Sequence, residues 1–203
     1  MSVTIEEILE QIEGDPMEPL VSRLLLRSMK QARYTTGCSG HFGLAAKYYC
    51  HFTSPIRRYP DLQIHRIIKD DIRGRLREEK IRHYVGILED VAAQSSAMER
   101  RAQEAERETD KMKKAQYMLQ FLNEEFEGTV SGVTGWGLYV ELENTVEGLV
   151  HINSMWDDYY IFDEEHYQLV GEAKKKAYRL GQRVRVKVKD ADPALRTVDF
   201  ILI

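Results

Sequence analysis

The stretch Phe121-Leu122-Asn123-Glu124-Glu125-Phe126-Glu127 is where the chain changes its period. Before it the apolar residues recur at helical spacing; after it they alternate one by one, as on a strand with one face buried. Downstream, the pattern gives strands at Phe126–Thr134, 137–141, 146–152, 183–189 and 197–203. The fourth is the plainest: Val184, Val186 and Val188 alternate with Arg185, Lys187 and Lys189. Five short strands with glycine-marked turns point to a small closed barrel of the OB type. Residues 163–176, polar and charged, read as an excursion inserted between the third and fourth strands.

Upstream of the change lies one long charged helix starting near Glu78. No glycine or proline falls between Gly86 and Gly128, and Val85, Leu88, Ala92, Met98, Ala102 and Ala105 form a narrow apolar stripe. Arg100, Arg101 and Arg107 read as a solvated face laced by Glu104 and Glu108 at i,i+4 spacing. Further upstream, Ile5, Ile8, Leu9 and Ile12 mark a helix stopped by Gly14-Asp15-Pro16. A second helix is expected from Pro19 to about Tyr34. The fold class is therefore α+β, a helical part over residues 1–120 and a barrel over residues 121–203.

Between these helices stands Thr53-Ser54-Pro55-Ile56-Arg57-Arg58-Tyr59-Pro60-Asp61. Thr53 or Ser54 can cap a helical turn, and Pro55 suits a first helical position because its missing N–H would go unpaired anyway. Pro60 interrupts that turn and starts a longer helix with Asp61 in its first turn, running to about Gly74 with Leu62, Ile68 and Ile72 toward a core. The two prolines hold Arg57, Arg58 and Tyr59 on a stiff corner. A rigid guanidinium fork suits a phosphate; arginines paired with nearby acids are the alternative reading.

Composition sets bounds. The 203 residues carry 43% apolar and 31% charged side chains, a folded and well-charged chain. The acidic start lacks the apolar run of a signal peptide, and no window is long and apolar enough for a membrane helix, which makes the cytoplasm the expected compartment. The net charge of −4 hides an asymmetry: residues 20–114 hold twenty Lys/Arg against twelve Asp/Glu, between two acidic flanks. A basic middle is compatible with a polyanionic partner. Cys38, His41, Cys50 and His51 are zinc-type ligands, but Cys50 and His51 are adjacent and the usual spacing of paired cysteines is absent, so no metal site is expected there.

His41-Phe42-Gly43-Leu44, then Phe52-Thr53-Ser54-Pro55-Ile56-Arg57-Arg58-Tyr59-Pro60-Asp61 and His65-Arg66, together with Leu25-Leu26-Arg27-Ser28-Met29-Lys30-Gln31-Ala32, resemble the closing part of the RNB catalytic domain of the ribonuclease II/ribonuclease R family. Gly128-Thr129-Val130, Gly135-Trp136-Gly137-Leu138-Tyr139-Val140, Glu147-Gly148-Leu149-Val150-His151 and Tyr178-Arg179-Leu180-Gly181-Gln182-Arg183-Val184 resemble the S1 RNA-binding OB barrel of the same family, nearest its ribonuclease R branch.

The resemblance implies a magnesium-dependent 3′→5′ exoribonuclease that takes single-stranded RNA to nucleoside 5′-monophosphates. It implies Arg57 as the catalytic arginine at the scissile phosphate. Arg58, Tyr59, His65 and Arg66 would support that corner or contact RNA, and Glu106 would meet the 3′-terminal nucleotide, with Glu104 as its rival. In the barrel, Trp136 and Tyr139 flank a turn and can offer flat faces to bases, while His151 and Arg196 supply a ring edge and a phosphate contact. Core packing is the other fate open to Trp136; its two glycine neighbours favour exposure. Two-metal hydrolysis needs clustered carboxylates. Asp70-Asp71 and Asp157-Asp158 are isolated pairs, so the metal ligands are expected outside this chain, which is expected to bind RNA without cleaving it. The competing expectation is a non-catalytic RNA-binding protein with a helical assembly domain.

Overall fold

The structure is a computed structural model that describes residues 5–14, 18–29, 31–38, 40–41, 44 and 46–203. Asp15 and Pro16 of the expected helix stop, Phe42 and Gly43 of the motif, Lys30 and Ser39 lie outside the described residues, as do the side chains of Ile5, Ile8, Leu20, Leu24 and Arg27. The chain divides into two compact units, residues 30–106 and residues 107–203 with 1–29.

Four helices run in chain order: α1 (Ile5–Ile12), α2 (Glu18–Ser28), α3 (Tyr59–Ile72) and α4 (Glu78–Met118). In the first unit α3 starts from an extended Arg58 (φ −123°, ψ 112°), with Pro60 in its first turn, where no N–H is needed. It stops at Gly74, whose φ of +63° only glycine adopts without strain. α3 is tied to α4 through Asp70, which takes the Lys80 ammonium and, at 2.8 Å, the Tyr84 hydroxyl. The apolar stripe on α3 is present, but its expected burial is not. Ile68 and Ile72 are exposed, and the residues shut off from solvent are Asp61 and Gln63.

α2 ends at Ser28, six residues short of the expected Tyr34; residues 31–35 are irregular, and the Tyr34 N–H donates to Ser96 Oγ on α4 (2.9 Å).

The second unit is a closed barrel in the order β1-β2-β3-β8-β7, from β1 (Glu125–Thr134), β2 (Gly137–Leu142), β3 (Glu147–His151), β7 (Arg183–Asp192) and β8 (Thr197–Leu202). All pairs are antiparallel except β3 with β8, where Leu149 faces Asp199 and Val150 faces Phe200. The inward residues are the alternating apolar set: Val130, Leu138, Val140, Val150, Val186, Val188 and Phe200 are fully buried. The α+β class and the five-stranded barrel are as the sequence predicts. Ala115 and Met118, at the end of α4, are also fully buried in this core.

The excursion after β3 is ordered structure. β4 (Tyr160–Asp163), β5 (Gln168–Gly171) and β6 (Ala177–Arg179) form an antiparallel three-stranded sheet. Tyr160, Leu169 and Tyr178 on its inner face join the barrel core, with Phe162 packed against them.

Candidate nucleic-acid interface

The corner before α3 is built around one carboxylate. The Ser54 carbonyl accepts the N–H groups of Arg57 (3.3 Å) and Arg58 (3.0 Å), closing the turn that Pro55 begins. Asp61 Oδ2 then accepts three donors: the Ser54 N–H (2.8 Å), Arg58 Nε (3.2 Å) and the Arg58 terminal nitrogen (2.9 Å). Asp61 is closed to solvent, and its Oδ1 has no hydrogen-bond partner among the described residues. Burial alone pushes this carboxyl up, but the Ser54 N–H and the Arg58 guanidinium outweigh it and hold it below the ordinary carboxylate range.

The two adjacent arginines thus have different fates. Arg58 is turned inward, its side chain 19% exposed. Arg57 is exposed and pairs with no carboxylate among the described residues. Tyr59 leans against the same corner: its hydroxyl accepts from Gln63 (3.0 Å) and from Arg66 (3.4 Å), whose guanidinium lies 5.8 Å from the ring centre. His65 stacks on Phe52 at 4.2 Å, with Nε2 at 2.8 Å from the Phe52 carbonyl. Glu104 and Glu106 are both exposed on α4. Two residues apart on a helix they point to nearly opposite sides, so one pocket can use only one of them.

The ligand-type residues before the corner do not converge. Cys38 and Cys50 are exposed; His41 packs on Tyr49 (4.6 Å) and accepts the Leu44 N–H (3.1 Å), while His51 meets Tyr34 and Tyr49. Among the described residues no three His, Cys, Asp or Glu side chains gather as metal ligands would. The buried Asp61 already serves Arg58 and Ser54. The residues described here do not fit a magnesium centre.

In the barrel, the turn from β1 to β2 sets an aromatic platform. Gly137 has φ +149°, and a Cβ there would run into the Val150 carbonyl. Only glycine therefore lets β2 lie this close to β3. The Ile152 N–H donates to the Trp136 carbonyl (2.8 Å), fastening the turn to the end of β3. Gly137 pairs with His151, and Tyr139 with Leu149 and Gly132, so Tyr139 and His151 share the outer face. Trp136 is 55% exposed, and its indole N–H reaches the Tyr139 hydroxyl (3.3 Å). The exposure expected of Trp136 is what the structure has. His151 Nδ1 accepts the Asn153 N–H (3.1 Å), which leaves Nε2–H as the outward donor of the neutral ring.

Trp136, Tyr139 and His151 are thus brought together, and Arg196 is not. β3 and β8 are parallel, so His151 at the end of β3 and Arg196 before the start of β8 lie at opposite ends of the barrel. Arg196 (φ +61°) pairs with Glu108 on α4 at 3.0 Å, and Glu108 also takes Lys111 (3.2 Å). The i,i+4 lacing of the arginine face expected of Glu108 is replaced by these partners, Lys111 at i+3 and the distant Arg196. Sequence reasoning passed over Asp61 as anything more than a helix-start acid; its i,i+3 spacing from Arg58 was the available signal.

Comparison with known proteins matches two stretches of the chain. Residues 1–74 match the RNB domain and residues 119–201 the S1 RNA binding domain. Ribonuclease R 1 of Lactococcus lactis is 44% identical over 196 residues, covering 97% of this chain and 24% of that protein. Ribonuclease R of Aquifex aeolicus is 46% identical over 199 residues (98% of this chain, 28% of the relative), and that of Escherichia coli 42% over 205 (97% and 25%). The chain therefore spans about a quarter of the length of these relatives. The apo form of Mycoplasma genitalium RNase R superposes with a TM-score of 0.89 at 28% identity, over all of this chain and 32% of that one. The same protein in complex with ribose methylated single-stranded RNA gives the same TM-score.

Proposed function

We infer that this chain, which belongs to the ribonuclease II/ribonuclease R family by both its RNB and its S1 sequence, supplies the RNA-holding end of a 3′→5′ exoribonuclease. The substrate is single-stranded RNA, released as nucleoside 5′-monophosphates, in the cytoplasm. Residues 1–120 complete the RNB domain and residues 121–203 are the S1 barrel. The reaction uses a divalent metal, magnesium, held by carboxylates that are not among the residues described here, so the chain by itself binds RNA without cleaving it.

The observation that carries this reading is the division of labour at the corner. Arg58 is committed to Asp61, which fixes the turn; Arg57, next to it, is exposed and unpaired among the described residues. A guanidinium on a rigid turn, not neutralised beforehand, can place two N–H donors on the non-bridging oxygens of the reacting phosphate, where negative charge grows in the transition state. Such preorganised donors are worth roughly 3–4 kcal/mol in other enzymes. Tyr59 and Arg66 act as RNA contacts of the same corner, Glu106 lines the pocket for the terminal nucleotide, and Trp136, Tyr139 and His151 are the barrel's own RNA contacts. Arg196 reaches a phosphate only if it leaves Glu108.

The test is Arg57→Lys in the full-length enzyme. Lysine keeps the charge and loses the planar fork, so single-turnover cleavage should slow by about a hundredfold while affinity in filter binding barely moves. Equal losses of affinity and rate would reduce Arg57 to an ordinary backbone contact.

A further inference from the structure

The three-stranded sheet β4-β5-β6 has an outer face that the proposed RNA site does not use. Strand parity puts Ile161 on it, opposite the inner Tyr160 and Phe162, and Tyr159 immediately precedes the strand. Tyr159 is 71% exposed and Ile161 52%. Trp156, just before them, is 89% exposed. A tryptophan this open, beside an open tyrosine and isoleucine, is an apolar patch that the chain leaves to a partner.

The patch is rigid. Asp158 accepts the N–H groups of Tyr159 (2.8 Å), Ala173 (3.0 Å) and Lys174 (2.6 Å), and the Glu172 N–H donates to the Tyr159 carbonyl (2.8 Å). Asp158 and Tyr159, and so the backbone two residues beyond Trp156, are thereby pinned to the β5–β6 hairpin, whose turn carries the exposed Lys174, Lys175 and Lys176. Of the acids beside the aromatics, Asp158 is engaged with backbone N–H groups and Asp157 with the Tyr160 hydroxyl (3.1 Å) and with Lys174 and Lys176 (3.9 and 4.0 Å), while Glu172, in the turn with the three lysines, is exposed. Lys175 has no such partner among the described residues.

We propose that Trp156 and Tyr159, with the lysines of the β5–β6 turn, form a second single-stranded RNA platform that continues the strand path from Trp136 and His151. The occupant follows from chemistry and continuity. Flat aromatic faces beside exposed ammonium groups suit stacked bases and their phosphates, whereas a protein partner would need no lysine row. The path is short in sequence: the turn Ile152–Ser154, fastened to Trp136 through Ile152, leads from His151 to the buried Met155 and then Trp156. The proposal rests on the reading of the barrel as an RNA-binding domain and assigns that domain a longer site.

The 203-residue chain is titrated with oligouridylates of about 4 and about 16 nucleotides, the span of site sizes for one OB fold. The double variant Trp156→Ala/Tyr159→Ala should bind the long RNA at least about fivefold more weakly and the short RNA unchanged, since one lost stack is worth that much or more. Trp156 and Trp136 are the chain's two tryptophans. In Trp136→Phe, Trp156 is therefore the sole indole reporter, and its emission should be quenched by the long RNA only.

Unchanged long-RNA affinity in the double variant, with Trp136→Ala still weakening binding, overturns the second platform and leaves the barrel's RNA site standing. Loss of binding in neither variant overturns the RNA-binding reading itself. If Trp156 emission instead shifts with protein concentration alone, and sedimentation shows a dimer abolished by Trp156→Ala, the face belongs to a second copy of the chain and the RNA proposal falls. Circular dichroism of each variant checks that the barrel is intact, as substitution at exposed positions should leave it.

Discussion

Asp61→Ala is the substitution that most directly tests how the corner is built. The change removes three donors' worth of acceptor: the Ser54 N–H at 2.8 Å and two Arg58 nitrogens at 2.9 and 3.2 Å. Breaking a buried ion pair from one side costs about 3–5 kcal/mol when the partner stays dry. Here the cost is smaller. Arg58 is 19% exposed and regains water when its partner is removed.

We expect about 2–3 kcal/mol of local destabilisation, which is a loss of hydrogen-exchange protection at the Ser54 amide of roughly 30- to 150-fold. Asp61→Asn keeps an acceptor for Ser54 but gives up the charge facing Arg58. Because the folded carboxyl is held below its ordinary value, its contribution is complete above the unfolded pKa and disappears as pH falls through the folded one. The gap between wild type and Asp61→Asn should be flat above the unfolded carboxylate pKa of about 4 and close as pH falls through the lower folded value. Exchange over residues 52–66, measured by mass spectrometry across that range, decides it. Protection falling less than about fivefold in Asp61→Ala, or a gap that does not change with pH, would show that Asp61 is a solvated helix-start acid and that Arg57 and Arg58 are equivalent.

Two further outcomes are expected. Met118→Ala, at a side chain fully buried with the barrel core, should cost about 2–5 kcal/mol in urea unfolding followed by barrel tryptophan emission; a cost under about 1 kcal/mol would mean that the end of α4 merely abuts the barrel. Asp158 is held below the usual carboxylate range first by the Lys174 N–H, against a smaller push upward from burial, and then by the Ala173 and Tyr159 N–H groups. The hairpin it pins should therefore be intact above the unfolded carboxylate pKa and open as pH falls through the folded value, read as amide exchange over residues 157–176 that rises in acid and is already high at neutral pH in Asp158→Ala.

What the sequence disclosed and what it withheld divide along physical lines. The five barrel strands were legible because each is long enough to alternate and has one buried face; Val184, Val186 and Val188 are the clearest instance. β4, β5 and β6 were not, being four, four and three residues long and set among charged turns. Their buried face is only Tyr160, Phe162, Leu169 and Tyr178, separated by turns, which no periodicity test gathers. Ile68 and Ile72 show the reverse: spacing identifies a helix face but does not say whether anything covers it. α2 stops at Ser28, and the Tyr34 N–H, which the expected helix would have used internally, goes to a hydroxyl 62 residues distant, that of Ser96, which no local pattern discloses.

The least legible feature was the one on which the proposed chemistry turns. Arg57 and Arg58 are indistinguishable by composition, and Asp61 stands at i+4 from one and i+3 from the other, so local spacing allows either pair. The turn closed on the Ser54 carbonyl decides between them, because it brings the Ser54 N–H and Arg58, and not Arg57, onto the same carboxylate oxygen. One acid thus neutralises one arginine and, by fixing the backbone, presents the other uncompensated. The barrel repeats this logic with its own residues: Arg196 is spent on Glu108, while His151 turns its remaining N–H outward beside Trp136 and Tyr139. A polar group answered within the fold brings little to a ligand, since any gain there is offset by the contact it leaves. The side chains left unanswered, Arg57 on one unit and the aromatic platform on the other, are therefore those on which the reading of this chain depends.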